Sequence, residues 1–110
     1  MRRVRCPIIE SVIRFNLGYF EQTRGNIEEA RSFYAQAREV NPNYSPAYNN
    51  EGLILWERGD RETAESWFAQ AVEIDPQNLS AVINLAMAKT ERGEVDDAIA
   101  LLTQVLDEDP

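Results

Sequence analysis

The chain has 110 residues, a formal net charge of −8 and no histidine. That length holds one domain with a modest core, and the acidity argues against nucleic-acid binding, whose affinity comes from Lys and Arg releasing counterions from phosphates. With Cys6 as the one cysteine, disulfide frameworks and Cys/His metal sites within one chain are excluded, and no cofactor is expected.

Residues 1–10 carry Arg2, Arg3 and Arg5 against Glu10 and read as an N-terminal extension, partly helical, in which Pro7 can start a helix. Glu10 and Arg14 interrupt the apolar run before it reaches signal-peptide length, so neither secretion nor a membrane span is indicated and the cytoplasm is the expected compartment. From residue 11 onward the punctuation recurs every 34 residues: Gly25, Gly59 and Gly93, then Ala30, Ala64 and Ala98, then Pro42, Pro76 and Pro110. Each period reads as a helix, an Arg-Gly turn, a second helix and a proline link. The predicted helices are 11–24 and 27–40, 45–58 and 61–74, and 79–92 and 95–108, in repeats 11–44, 45–78 and 79–110.

Glycine past the last helical residue closes a helix in the left-handed conformation. Asn26 and Asp60 are placed to accept the first amides of the next helix, and Asn26 with Glu29 makes a capping-box-like pair. Asn41 and Asp75, each before a proline, end the second helices. Those helices carry core spacing in Ile27, Ala30, Tyr34 and Ala37, in Ala64, Phe68, Ala71 and Val72, and in Val95, Ala98, Ile99, Leu102 and Val105. Small residues at matched places, Gly18 with Ala30, Gly52 with Ala64 and Ala86 with Ala98, let paired helices approach closely. The fold class is all-α, a solenoid whose stacked units share a continuous core.

Unit one carries Leu17, Gly18, Ala30, Tyr34, Ala37 and Pro42. Unit two carries Tyr48, Gly52, Leu55, Ala64, Phe68, Ala71 and Pro76, and unit three Leu85, Ala98, Leu102 and Pro110. These residues resemble the tetratricopeptide repeat, with its W-x2-L-G-x2-Y, A-x3-F and closing P over one period. The resemblance covers residues 11–110 and implies a right-handed superhelical solenoid of three helix-turn-helix repeats. It also implies a concave groove lined by the first helices, and protein or peptide binding in place of catalysis. Arg14, Glu21 and Lys89 stand where the pattern wants an aromatic, and Glu51 stands where it wants leucine. The pentatricopeptide family has a similar period and binds RNA, but the Asp-Pro links and the net charge count against it.

On that resemblance the groove-facing stripe runs Val12, Phe15, Tyr19 and Gln22, then Asn49, Leu53 and Trp56, then Ile83, Met87 and Thr90, each set on one helical face. The expected guest is a peptide or amphipathic helix on an apolar groove. The alternative is that Phe15, Tyr19, Leu53 and Trp56 pack on one another or on a terminal extension. Beside the stripe, Asn16, Asn50 and Asn84 form a register of amides that either hold a peptide backbone, as in the asparagine ladder of the repeats of O-linked N-acetylglucosamine transferase, or bond backbone between helices. The clamp that reads the C-terminal carboxylate of heat-shock chaperones needs Lys and Arg where this chain has Phe15, Ser80 and Asn84, keeping only Asn50, so chaperone tails are disfavoured.

No catalytic constellation is found: Lys89 is the single lysine, and the carboxylates of Asp96 with Asp97 and of Glu28 with Glu29 sit in first helical turns, where they complement the helix dipole. The last helix carries Val95, Ile99, Leu102 and Leu106, and no further helix follows to cover them. The expectations are a homodimer pairing through that face, a place in a longer array, or an exposed face on a marginal monomer. Ile8, Ile9, Val12 and Ile13 suggest a second contact face at the other end.

Overall fold

The computed structural model describes residues 6–108. Six helices follow in order: α1 Pro7–Thr23, α2 Ile27–Val40, α3 Ser45–Glu57, α4 Arg61–Ile74, α5 Leu79–Glu91 and α6 Val95–Glu108. Among the described residues there is no strand. The first helix begins at Pro7, in the first-turn position where proline's missing N–H costs nothing.

Each hairpin turn is built the same way. After α1, the Gly25 amide donates to Gln22 O and the Asn26 amide to Glu21 O, with Gly25 at φ 85°. Gly59 and Gly93 repeat the pattern, and only a residue without Cβ takes that left-handed angle at no steric cost. At the links, Asn41 and Asp75 are extended before proline, and their side chains accept the Asn43 and Gln77 amides at 3.1 and 3.0 Å.

Asn26 does not cap α2 with its side chain. Its Nδ2 donates instead to Glu21 Oε2 at 3.0 Å, and its backbone N–H, which Glu29 would take in a capping box, donates to Glu21 O at 2.9 Å. Asp60 and Asn78 do accept from the Thr63 and Ala81 amides, at 3.4 and 3.3 Å.

The hairpins α1–α2, α3–α4 and α5–α6 stack through α2 on α3 and α4 on α5, and α3 also touches α5. The result is an elongated body of 55 × 34 × 19 Å. Inside the hairpins, Tyr34 and Phe68 are wholly buried against glycine. A Cβ on Gly18 would lie 2.7 Å from Tyr34 Cε1, and one on Gly52 would lie 2.7 Å from Phe68 Cε1. Two apolar clusters result. Ala30, Tyr34 and Ile54 hold the first junction, and Leu55, Ala64, Phe68 and Leu85 hold the second.

Polar groups are also used in the interior. Ser45 Oγ donates to Ala71 O and accepts from Asn78 Nδ2, both at 2.8 Å, pinning the start of α3 to the end of α4. Glu51, standing where the repeat pattern asks for leucine, is only 4% exposed. Its carboxylate lies 3.4 Å from Arg31 Nε and 3.4 Å from Arg38 Nη1, which joins α2 to α3. The Arg38 guanidinium in turn lies over the Trp67 ring at 4.4 Å and near Tyr48 at 5.7 Å. Arg38 Nη1 is buried and makes no hydrogen bond of proper geometry among the described residues, so charge proximity and ring stacking hold it.

Candidate binding groove

The stripe on α1, α3 and α5 spans all three repeats. Phe15 is half-buried, its ring 5.5 Å from Tyr34 and 5.5 Å edge-on from Tyr44. Val12 and Leu53 are half-buried as well, and Leu53 packs against the second apolar cluster. Trp56 lies 6.2 Å from Phe68, with the Arg61 guanidinium over its ring at 4.5 Å. The apolar atoms left to solvent belong chiefly to Tyr19, Ile83 and Met87, exposed by 55, 57 and 37%. The stripe therefore combines half-buried Phe15, Leu53 and Trp56 with exposed Tyr19, Ile83 and Met87.

The amides divide in the same way. Asn16 is exposed, whereas Asn49 is buried and Asn50 and Asn84 are partly covered. Asn84 Nδ2 donates to Asn49 Oδ1 at 2.8 Å, and Asn49 Nδ2 donates to Ser80 Oγ at 3.1 Å and to Asn50 Oδ1 at 3.4 Å. Asn50 Nδ2 donates to the Tyr34 hydroxyl at 3.4 Å, and that hydroxyl donates to Gln22 Oε1 at 2.5 Å. One directed chain of donors thus runs from the third repeat to the first. Burial pushes the Tyr34 hydroxyl above the ordinary tyrosine range, so it stays protonated and keeps donating.

The 34-residue period placed Asn16, Asn50 and Asn84 in one register but did not show that Asn49 joins Asn84 to Asn50, with Asn16 apart from them. Nor did it find Glu51 with Arg31 and Arg38, whose only signal was a carboxylate at a leucine position. Beside the Trp56 end of the stripe, a shallow pocket of about 210 Å³ lies between the second and third repeats. It is bounded by Trp56 and by the ion pairs Arg61 with Glu91 and Arg92 with Glu65. Among the described residues no cluster of three metal-ligating side chains exists, and no helix is long and apolar enough to cross a membrane.

Three hairpins in one register, stacked around a shared core, define a helical-repeat scaffold. The chain belongs to the tetratricopeptide repeat family, a family of protein-interaction modules: one profile described as tetratricopeptide repeat matches residues 10–77 and a second matches residues 55–110. No curated protein gives a significant match.

Solved structures carry the same fold. MamA superposes with a TM-score of 0.76 at 20% identity, over 89% of this chain and 57% of that one, so the chain spans little more than half of MamA. The second TPR of Spaghetti (RPAP3), bound to the HSP90 peptide SRMEEVD, gives 0.76 at 20% identity over 88% and 90%. The N-terminal domain of stress-induced protein-1 (STI-1) from C. elegans gives 0.75 at 18% identity over 96% and 89%. Identities this low carry the fold and leave the ligand to each groove's own side chains.

Proposed function

We propose that the chain is a protein-interaction module that holds an apolar, weakly charged segment of a partner, as a peptide or an amphipathic helix, along α1, α3 and α5. One observation supports this most. In a chain that is 27% charged, none of Val12, Phe15, Asn16, Tyr19, Gln22, Asn49, Asn50, Leu53, Trp56, Ile83, Asn84, Met87 and Thr90 carries a charge. A groove of this kind rewards apolar side chains and gives an acidic tail no cation to pair with. The chaperone-type peptide seen on the RPAP3 domain is therefore not the guest proposed here. Exposed Asn16 is the amide open to a guest's backbone, while Asn50 and Asn84 hold the groove's shape.

The experiment is a displayed peptide library selected on the immobilised chain. Enrichment of apolar or amphipathic sequences is expected, with binding lost in Tyr19→Glu and Met87→Glu while far-ultraviolet helicity is kept. Selected peptides that bind both variants as well as the parent would overturn the groove assignment. A set dominated by acidic C-termini would overturn the chemistry.

A further inference from the structure

Two apolar faces stand at opposite ends of the array. On α6, Ile99, Leu102 and Leu106 are exposed, Leu106 by 72%. On α1, Ile13, Leu17 and Phe20 are exposed, Ile13 and Phe20 each by more than half. Both faces are halves of a junction that the chain already makes twice within itself, where α2 docks on α3 and α4 docks on α5.

Shifted by the repeat length, Ile99, Leu102 and Leu106 occupy the places of Arg31, Tyr34 and Arg38 in α2 and of Glu65, Phe68 and Val72 in α4. Those residues make the internal contacts. Arg31 and Arg38 reach Glu51, Phe68 clusters with Leu85, and Val72 lines a small cavity with Val82. On the receiving side, Ile13, Leu17 and Phe20 occupy the places of Ala47, Glu51 and Ile54 in α3 and of Ala81, Leu85 and Ala88 in α5. All of the latter are buried.

The α1 face is larger than its internal counterparts, with Ile13 and Phe20 where α5 has Ala81 and Ala88. Leu102 and Ala86 stand at the places of Tyr34 with Gly18 and of Phe68 with Gly52, so the smaller side chain on α6 matches the larger one inside its own hairpin.

Charge points the same way. Inside the chain, Arg58 at the end of α3 pairs with Glu28 in the first turn of α2. In register, Arg24 stands at the end of α1 and Asp96 in the first turn of α6. The third repeat has two cations against seven carboxylates, while residues 1–10 have three arginines against Glu10. Unlike ends attract, and α6 laid on a second α6 would bring two acidic ends together.

We propose that α6 of one copy docks on α1 of a second copy in the geometry of the internal α2–α3 and α4–α5 junctions. This contact is heterologous and does not close, so it extends the solenoid from copy to copy. The groove stripe lies on other faces and stays open along the assembly.

The test is sedimentation of the full chain over a concentration series. The weight-average mass is expected to rise past that of a dimer without a plateau. Leu17→Glu blocks the α1 face and Leu102→Glu blocks the α6 face, so each variant alone is expected to be monomeric. Mixed, they are expected to form a 1:1 dimer that grows no further, because each supplies the face the other lacks. Phe20→Lys and Leu106→Lys serve as a second pair if either glutamate variant loses its helical signal. Three results overturn the proposal: a parent chain that is monomeric at several hundred micromolar, a plateau at dimer with Leu17→Glu still dimeric, or a mixture that stays monomeric.

Discussion

Where α2 meets α3 the chain buries a carboxylate between two guanidinium groups, and where α4 meets α5, in the same register, it buries Leu85 beside Phe68. Each junction also has an apolar cluster, and the two differ in chemistry at this one position of the register. The apolar one gains from removal of surface from water, roughly in proportion to area. The ionic one must first desolvate Glu51 and Arg38, and the attraction between them roughly offsets that cost. The solenoid therefore tolerates unlike chemistry between repeats as long as the packing inside each hairpin, Tyr34 on Gly18 and Phe68 on Gly52, is kept.

The comparison breaks most sharply at Glu51. Glu51→Ala leaves Arg38 buried over Trp67 without a counter-charge and should cost about 3 kcal/mol, the lower end for a broken buried pair because Arg31 is partly exposed. Urea unfolding at neutral pH measures this. Glu51→Leu combined with Arg38→Met converts the first junction to the chemistry of the second and should return stability to within about 1 kcal/mol of the parent. A double variant as weak as Glu51→Ala would show that the ionic cluster contributes more than its own neutralisation.

Leu85→Ala tests the apolar junction and should cost about 2 to 3 kcal/mol, the lower part of the range for a buried leucine because the site lies near the surface of a thin body. Amide exchange should speed up in α5 and α6 before α1 and α2, and the reverse order should follow Glu51→Ala.

The smallest effect lies at the rim of the first junction. The hydrogen bond and charge of Arg58 hold the Glu28 carboxyl below its ordinary value of 4.5. A lowered folded value means that the contribution is present in full above pH 4.5 and is lost as pH falls through the folded value. The urea midpoint should therefore fall slightly below that pH, and Glu28→Gln should flatten only that part of the profile.

Much of the scaffold was legible in the sequence, because glycine, alanine and proline answer demands that each repeat meets by itself. Gly25, Gly59 and Gly93 each close one helix, so the period shows them, and helix ends read from them lie within a residue or two of the observed ones, save the start of α1. The helix pairing between repeats recurs, but the side-chain chemistry at those contacts has no such period. Glu51 finds Arg31 across 20 residues, and no other ion pair among the described residues has that spacing. Asn26 was legible as a residue suited to capping, yet Glu21 competes for it from the preceding helix. In the groove, helical spacing placed Phe15 and Met87 on equivalent stripes. It could not show that Tyr34 and Tyr44 would half cover Phe15, because that depends on the neighbouring helices.

The donor chain from Asn84 through Asn49, Asn50 and Tyr34 to Gln22 has a consequence for how the groove responds to its surroundings. Amides do not ionise, and the Tyr34 hydroxyl is held protonated beyond its usual range. Between about pH 5 and 8, where histidine-lined sites change character, this seam presents the same donors and acceptors throughout. Acidification over that range therefore leaves the seam's own donors and acceptors unchanged.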